Sequence, residues 1–129
     1  MSVWKRAVHI SDPGEFDAAV SGLAAPVFVL LTGEKDEKTG LSWCPDCNEV
    51  LPGLQSALEQ QKEGSLLVVN VVRAQYRQNP EYLLRKHKGV RLTTVPTFGR
   101  WEQGRLEMRL EESQIADKSL LNEVLGIQE

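Results

Sequence analysis

Cysteine is scarce in this chain: there are two among 129 residues, separated by only two positions. So close a pair cannot form the framework of disulfides that stabilises small secreted domains. Basic residues are not in excess, since the formal net charge is −3, and we expect no nucleic acid as a partner. The sequence also lacks any run near the roughly 20 apolar residues that a membrane-spanning helix needs. These absences exclude disulfide-rich, polyanion-binding and integral membrane proteins.

The first nine residues lack the continuous apolar segment of a secretory signal peptide. We therefore predict a cytoplasmic protein with no membrane partner. The length suits one domain, and no repeat, low-complexity segment or long linker divides residues 1–129. In a reducing compartment a close cysteine pair is more often catalytic or metal-binding than structural.

Two uninterrupted apolar runs, at 27–31 and 66–72, are typical of strands buried on both faces in a parallel sheet. Helices are predicted at 13–20, 48–61, 81–88 and 117–125, with further strands at 3–10, 98–101 and 105–110 around a hairpin turn at 102–104. This order predicts an α/β fold with a mixed sheet and helices on both faces. Sites in such folds lie at the carboxyl ends of strands, and the cysteine pair follows one.

The pair lies in the segment Trp43-Cys44-Pro45-Asp46-Cys47, between a buried strand and a helix. We expect Cys44 to be exposed at the helix start, with Cys47 one turn further and more buried. The unpaired N–H groups and the dipole at a helix start favour the thiolate and lower a cysteine pKa. A low-pKa thiolate with a second thiol in reach suits thiol–disulfide exchange, in which Cys44 attacks and Cys47 resolves the mixed disulfide.

The other three residues of the segment modify this chemistry. Pro45 fixes φ in a first helical turn, where its missing N–H costs nothing. The Asp46 carboxylate between the sulfurs tends to raise a thiol pKa, and it can also accept a proton or repel acidic substrates. Trp43 either offers a flat apolar platform beside the sulfur or packs at the edge of the core.

A second segment, Thr94-Val95-Pro96-Thr97, precedes the predicted hairpin. From the dipeptide alone a trans Val95–Pro96 bond is the default, since only about 5–6% of X–Pro bonds in folded proteins are cis. With both segments in place, the chain resembles the thioredoxin superfamily over nearly its whole length. The sequence Trp-Cys-Pro-Asp-Cys, the preceding Ser42 and the polar loop at 32–41 are similar to the thioredoxin domain-containing protein 17 family.

The resemblance implies a thioredoxin-like fold with a five-stranded mixed sheet, Cys44 as nucleophile and Cys47 as resolving thiol. It implies a cis Val95–Pro96 bond facing the pair, with the Val95 backbone available to an extended substrate. It further implies a monomeric disulfide reductase without a cofactor, which receives electrons from NADPH through thioredoxin reductase. Its substrates would be cystine, other small or mixed disulfides and oxidised protein thiols.

One departure from thioredoxin itself concerns the strand before the active site. Thioredoxins carry a buried aspartate there, whereas residues 27–31 contain no acid and Thr32 is the nearest polar residue. Proton transfer from Cys47 must then use another group, such as Asp46 or water. The loop at 32–41 would narrow the docking surface, so we expect deletion of residues 34–39 to raise activity on a large protein disulfide.

Two other classes of function compete with a reductase. Structural zinc usually takes four ligands, and the only histidines, His9 and His87, are far apart in sequence, so no metal site is predicted. A redox-regulated thioredoxin-like adaptor that binds a signalling partner through Trp43 and Pro96 stays open. The basic residues between 73 and 91 are expected to be solvated, or to help dock an acidic reductase or substrate.

Overall fold

The computed structural model describes residues 1–127, which form a five-stranded sheet in the order β1-β3-β2-β4-β5. The strands are β1 (Val8–Ile10), β2 (Val27–Gly33), β3 (Ser65–Val71), β4 (Thr97–Glu102) and β5 (Arg105–Glu111). The helices are α1 (Phe16–Ser21), α2 (Pro45–Gln60), α3 (Arg73–Tyr76), α4 (Leu83–Lys86) and α5 (Lys118–Leu125), with 3₁₀ turns at Pro13–Glu15 and Glu112–Ala116.

The sheet is mixed, as predicted. Strands β1, β3 and β2 run parallel, whereas β4 is antiparallel to β2 and to β5. In the β2–β3 pair, Gly33 lies opposite Val71. The carboxyl ends of the two central strands therefore meet at one edge of the sheet, and the chain leaves this edge toward α2 and α3.

Helices cover both faces of the sheet because alternate residues of the buried strand β2 point to opposite sides. Val29 and Leu31 pack in one core cluster with Phe16 of α1 and Leu84 of α4. On the other side, β2 packs against α2 and α5 in a second cluster (Phe28, Leu30, Leu54, Leu58, Leu121). Each such fully buried side chain contributes about 1.5–3 kcal/mol.

The first strand is shorter than the predicted 3–10. Residues before Val8 form a turn in which the Arg6 N–H donates to the Ser2 carbonyl. The Arg6 guanidinium also donates to the carbonyls of Met1 and Gly64. The bond to Gly64 holds the turn against the loop between α2 and β3, and Val3 is buried in the α2-side cluster without belonging to a strand.

The helix predicted at 81–88 is reduced to the single turn α4, and the turn α3 was not predicted. The His87 Nδ1 accepts from the N–H groups of Gly89 and Val90, which ends α4 at Lys86. A side-chain acceptor therefore serves the Gly89 N–H, which in a longer helix would donate to a backbone carbonyl.

Candidate active site

The cysteine pair lies at the start of α2, beside the edge where β2 and β3 end. Cys44 is the N-cap residue with extended backbone, and Pro45 is the first helical residue. The Cys44 Sγ accepts from the Cys47 N–H at 3.3 Å, so this sulfur caps the helix. Both cysteines are free thiols. The helix begins at the motif itself, which confirms the predicted position of Cys44 at the helix start.

Both sulfurs are buried. Cys47 has 0% of its surface exposed, and Cys44 only 5%, so the expectation of an exposed Cys44 was wrong. The reason lies in a distant segment: the Cys44 thiol donates to the Val95 carbonyl at 3.6 Å. The Cys44 N–H is also occupied, since it donates to the Ser42 hydroxyl at 3.1 Å. The Val95 loop therefore covers the sulfur that sequence alone leaves open.

The pKa of the Cys44 thiol is raised from its ordinary value of 9.0 to about 12, and burial is the largest cause. A side-chain hydrogen bond with Cys47 also acts to raise this pKa, whereas the Cys47 backbone N–H acts to lower it. The negative charge of exposed Asp46 makes a smaller contribution in the predicted, raising direction. The expected lowering of the Cys44 pKa is not found, because loss of water around the sulfur outweighs the N–H donor at the helix start.

The buried Cys47 sulfur is contacted by the end of β2. The Gly33 N–H donates to the Cys47 Sγ at 3.4 Å. A Cβ on Gly33 would lie 2.5 Å from the Ser42 Oγ and 3.0 Å from the Cys44 Cβ. The absence of a side chain at position 33 is therefore what lets the motif lie against the strand, a role that the sequence analysis missed.

Trp43 is half-buried and is tied to the sheet. Its indole Nε1 donates to the carbonyl of Val71 at 2.8 Å, at the end of β3. Its ring lies 5.9 Å from the ring of Tyr76. Of the two predictions for Trp43, the geometry supports a residue that packs at the edge of the core.

Asn48 holds the segment before the motif. Its side-chain amide donates to the Ser42 carbonyl at 2.9 Å, and its Oδ1 accepts from the Ser42 N–H at 2.8 Å. These two hydrogen bonds fix the Ser42 backbone against the first turn of α2. The sequence analysis did not identify Asn48, although an asparagine in the first turns of a helix is a recognisable polar signal.

The second predicted segment meets the first. The Val95–Pro96 peptide bond is cis, which confirms what the resemblance implied, and Val95 is buried. The Thr97 hydroxyl donates to the Thr94 carbonyl at 2.7 Å and closes the turn around Pro96. A second cis bond, Ala25–Pro26, precedes β2 and was not predicted.

Strand β2 itself contains no acid that could take the Cys47 proton. Thr32 has 3% of its surface exposed, and its hydroxyl has no hydrogen-bond partner among residues 1–127. It lines a pocket of about 300 Å³ together with Leu30, Leu51 and Asn70, on the α2 side of the sheet. Thr32 is therefore separated from Cys47, which packs in the opposite cluster.

No group of three or more histidine, cysteine, aspartate or glutamate side chains within residues 1–127 has the arrangement to hold a metal ion. His9 contacts Asn70, and His87 pairs with Asp17 at 2.7 Å. Within the same described part of the chain, no helix has both the length and the apolar character to cross a membrane.

The sequence of this chain matches a known protein family. The family model described as thioredoxin domain-containing protein 17-like, thioredoxin domain, matches residues 14–126. Human thioredoxin domain-containing protein 17 is 34% identical over 93 residues, which are 70% of this chain and 73% of the human protein. An acireductone dioxygenase of Leishmania braziliensis is 38% identical over 78 residues, 56% of this chain, but this chain spans only 23% of that protein's length.

Solved structures agree on the fold. A putative oxidoreductase with a thioredoxin fold superimposes with a TM-score of 0.61 and 17% identity, over 94% of this chain and 96% of that chain. A complex of ferredoxin:thioredoxin reductase with thioredoxin f2 gives a TM-score of 0.58 and 12% identity, over 91% and 92%. The fold is therefore that of thioredoxin. With the family match over most of its length, the chain belongs to the thioredoxin domain-containing protein 17-like family.

Proposed function

We propose that this protein is a thiol–disulfide oxidoreductase that reduces cystine and other small or mixed disulfides, including oxidised protein thiols. The observation that carries the proposal is the position of the Cys44 Sγ. It lies between the Cys47 N–H at 3.3 Å and the Val95 carbonyl at 3.6 Å. A sulfur so placed has a resolving thiol on one side and a backbone edge for substrate on the other.

The reaction proceeds in two exchanges. The Cys44 thiolate attacks one sulfur of the substrate disulfide, forms a mixed disulfide and releases the other half, which takes up a proton. The Cys47 thiol then loses its proton, and its sulfur attacks the Cys44 Sγ and releases the second half as a thiolate, which takes up a proton. The products are two substrate thiols and a Cys44–Cys47 disulfide. Two electrons from NADPH, delivered through thioredoxin reductase, and two protons restore the dithiol.

The second exchange requires a thiolate on the buried Cys47. The Gly33 N–H already donates to this sulfur at 3.4 Å, and such a donor favours the charged form. We assign to this N–H part of the stabilisation of the Cys47 anion. Asp46, exposed on the first turn of α2, or water receives the proton.

The proposal includes a cytoplasmic monomer, with thioredoxin reductase as its macromolecular partner. The loop between β2 and α2 supports a preference for small substrates. A turn closes this loop in front of the motif: the Asp36 N–H donates to the Leu41 carbonyl at 2.8 Å, and Lys35 pairs with Ser42. It extends one wall of the approach to Trp43, which hinders a large protein more than cystine.

The experiment is NADPH oxidation with thioredoxin reductase, with cystine and then insulin as acceptor, beside Cys44→Ser and Cys47→Ser variants. We expect cystine turnover that requires Cys44, weak reduction of insulin, and a trapped mixed disulfide in Cys47→Ser. Equal turnover of both acceptors would remove the preference for small substrates. If neither acceptor is turned over, although the thioredoxin reductase in the assay is active on a thioredoxin, the proposed disulfide reductase function would be overturned. The result would favour an adaptor.

A further inference from the structure

Arg85 of α4 connects two segments that pack beside the cysteine motif. One is the Trp43–Tyr76 pair of rings, and the other is the loop that carries Val95. The Arg85 Nη2 donates to the Tyr76 carbonyl, and its Nη1 donates to the Thr93 carbonyl, both at 3.3 Å. A planar guanidinium holds two acceptors at a fixed spacing, which an ammonium group does not.

The Tyr76 side of this bridge lies against the redox centre. The Arg85 Cζ is 4.0 Å from the centre of the Tyr76 ring, and that ring packs against Trp43. Tyr76 is 8% exposed and packs in the same core cluster as Cys44 and Cys47. Burial raises the pKa of its phenol, whereas the Arg85 guanidinium lowers it.

The Thr93 side of the bridge leads to the backbone that faces Cys44. Thr93 lies two residues before Val95, whose carbonyl contacts the Cys44 Sγ at 3.6 Å. The Thr93 side chain is anchored separately, since its hydroxyl donates to Glu111 of β5 at 2.6 Å. The bond from Arg85 therefore acts on the backbone of the loop, the part that would pair with an extended substrate.

The Arg85 Nε is buried without a hydrogen-bond partner among residues 1–127. Leaving a guanidinium donor unpaired costs free energy. The two paired donors fix the distance between the Tyr76 and Thr93 carbonyls.

We infer that Arg85 is a positioning residue for substrate: it sets the Val95 backbone relative to Cys44 and thereby favours disulfides flanked by a peptide backbone. This inference rests on the proposed function and names a substrate class for it. The role depends on the forked geometry of the guanidinium and not on its charge. A disulfide without peptide groups makes no use of the Val95 backbone and depends less on Arg85.

The test compares two substrates in single-turnover reactions of the pre-reduced protein, without a reductase. One is the symmetric disulfide of N-acetyl-glycyl-cysteinyl-glycine amide, and the other is bis(2-hydroxyethyl) disulfide. The readout is the ratio of their second-order rate constants, followed by release of thiol. Because both substrates are measured on one preparation, any loss of folded protein cancels in the ratio.

We expect Arg85→Met and Arg85→Lys each to lower this ratio about tenfold, the effect of losing one charge-assisted hydrogen bond. Lys86→Met is the matched control, since it removes a charge from the same helix and its Nζ pairs with exposed Glu81 at 3.5 Å. The inference would be overturned if the ratio of rate constants is unchanged in Arg85→Met, or if Arg85→Lys has the same ratio as the unaltered protein. If the unaltered protein reacts with neither disulfide, the proposed function falls as well.

Discussion

The Gly33 N–H points at the Cys47 Sγ across 3.4 Å, so strand β2 ends directly on the buried sulfur. Gly33 also leaves the space in which Ser42, Trp43 and Cys44 lie, since a Cβ there would come within 2.5 to 3.0 Å of all three. One position thus supplies a donor to one cysteine and room for the other.

We expect Gly33→Ala to destabilise the protein by about 1–3 kcal/mol, because the added methyl group overpacks a buried contact with little freedom to move. The motif would be displaced, so the rate of disulfide reduction should fall with it. Gly53→Ala is the matched control: it lies inside α2, the new Cβ would meet no atom of residues 1–127 within 4 Å beyond its chain neighbours and the backbone of its own helix, and the variant should be more stable by about 0.5–1 kcal/mol. Urea unfolding of both variants measures the difference, and a Gly33→Ala variant as stable as the original would contradict it.

The raised pKa of Cys44 predicts how its reactivity depends on pH. Only the thiolate is nucleophilic, and a pKa above the ordinary 9.0 leaves little thiolate at neutral pH. The rate of alkylation of Cys44 by iodoacetamide should therefore keep rising from pH 7 to pH 10 without a plateau. Mass spectrometry of the labelled peptide distinguishes Cys44 from Cys47, and a plateau below pH 8 would disprove a raised pKa.

Asp46→Asn tests the contribution of a neighbouring charge to this titration. The negative charge of Asp46 is a minor cause of the raised Cys44 pKa beside burial. Its removal should move the alkylation profile to lower pH by a small amount and leave the shape unchanged. A shift to higher pH would mean that Asp46 acts on Cys44 mainly as a proton acceptor and not through repulsion.

Within the described part of the chain, the Tyr82 hydroxyl is buried and unpaired. The residue is 2% exposed, its hydroxyl has no hydrogen-bond partner among residues 1–127, and burial raises its pKa to about 12. Tyr82→Phe keeps the edge-to-face contact with Tyr76, whose ring centre is 5.5 Å away. We expect the variant to be more stable by about 1 kcal/mol, because an unpaired buried polar group is removed. Urea unfolding at pH 7 tests this, and a clear loss of stability would show that the hydroxyl has a partner.

The loop before the motif can be shortened without cutting the contacts that position Trp43. Glu34 must stay, since its N–H donates to the Val71 carbonyl and its carbonyl accepts from the Trp43 N–H. The predicted deletion of residues 34–39 would remove both bonds. Lys35 and Ser42 form an antiparallel bridge, so a two-residue Asn-Gly turn can replace residues 36–41. We expect this variant to reduce insulin faster while cystine reduction is unchanged; equal rates on insulin would show that the loop does not control access.

The sheet and the position of the motif were predictable because their signals are local. The apolar runs at 27–31 and 66–72 became the central strands, and the cysteine pair follows the first of them. The burial of Cys44 was not predictable, because it depends on the Val95 carbonyl 51 positions away. The short lengths of β1 and α4 were not predicted either. The side chains of Arg6 and His87 form hydrogen bonds with backbone groups there, and local propensity does not anticipate such bonds.

The Cys44 sulfur has two roles at the start of α2, because the atom proposed to react with disulfides also caps the helix. In the reduced protein the Cys44 Sγ caps the helix through the Cys47 amide. When that sulfur bonds to a substrate or to Cys47, it becomes a weaker acceptor and the first turn loses its cap. Amide hydrogen exchange at Cys47 and Asn48 should therefore quicken on oxidation, and the helix itself would report the redox state of the protein to anything that binds its first turn.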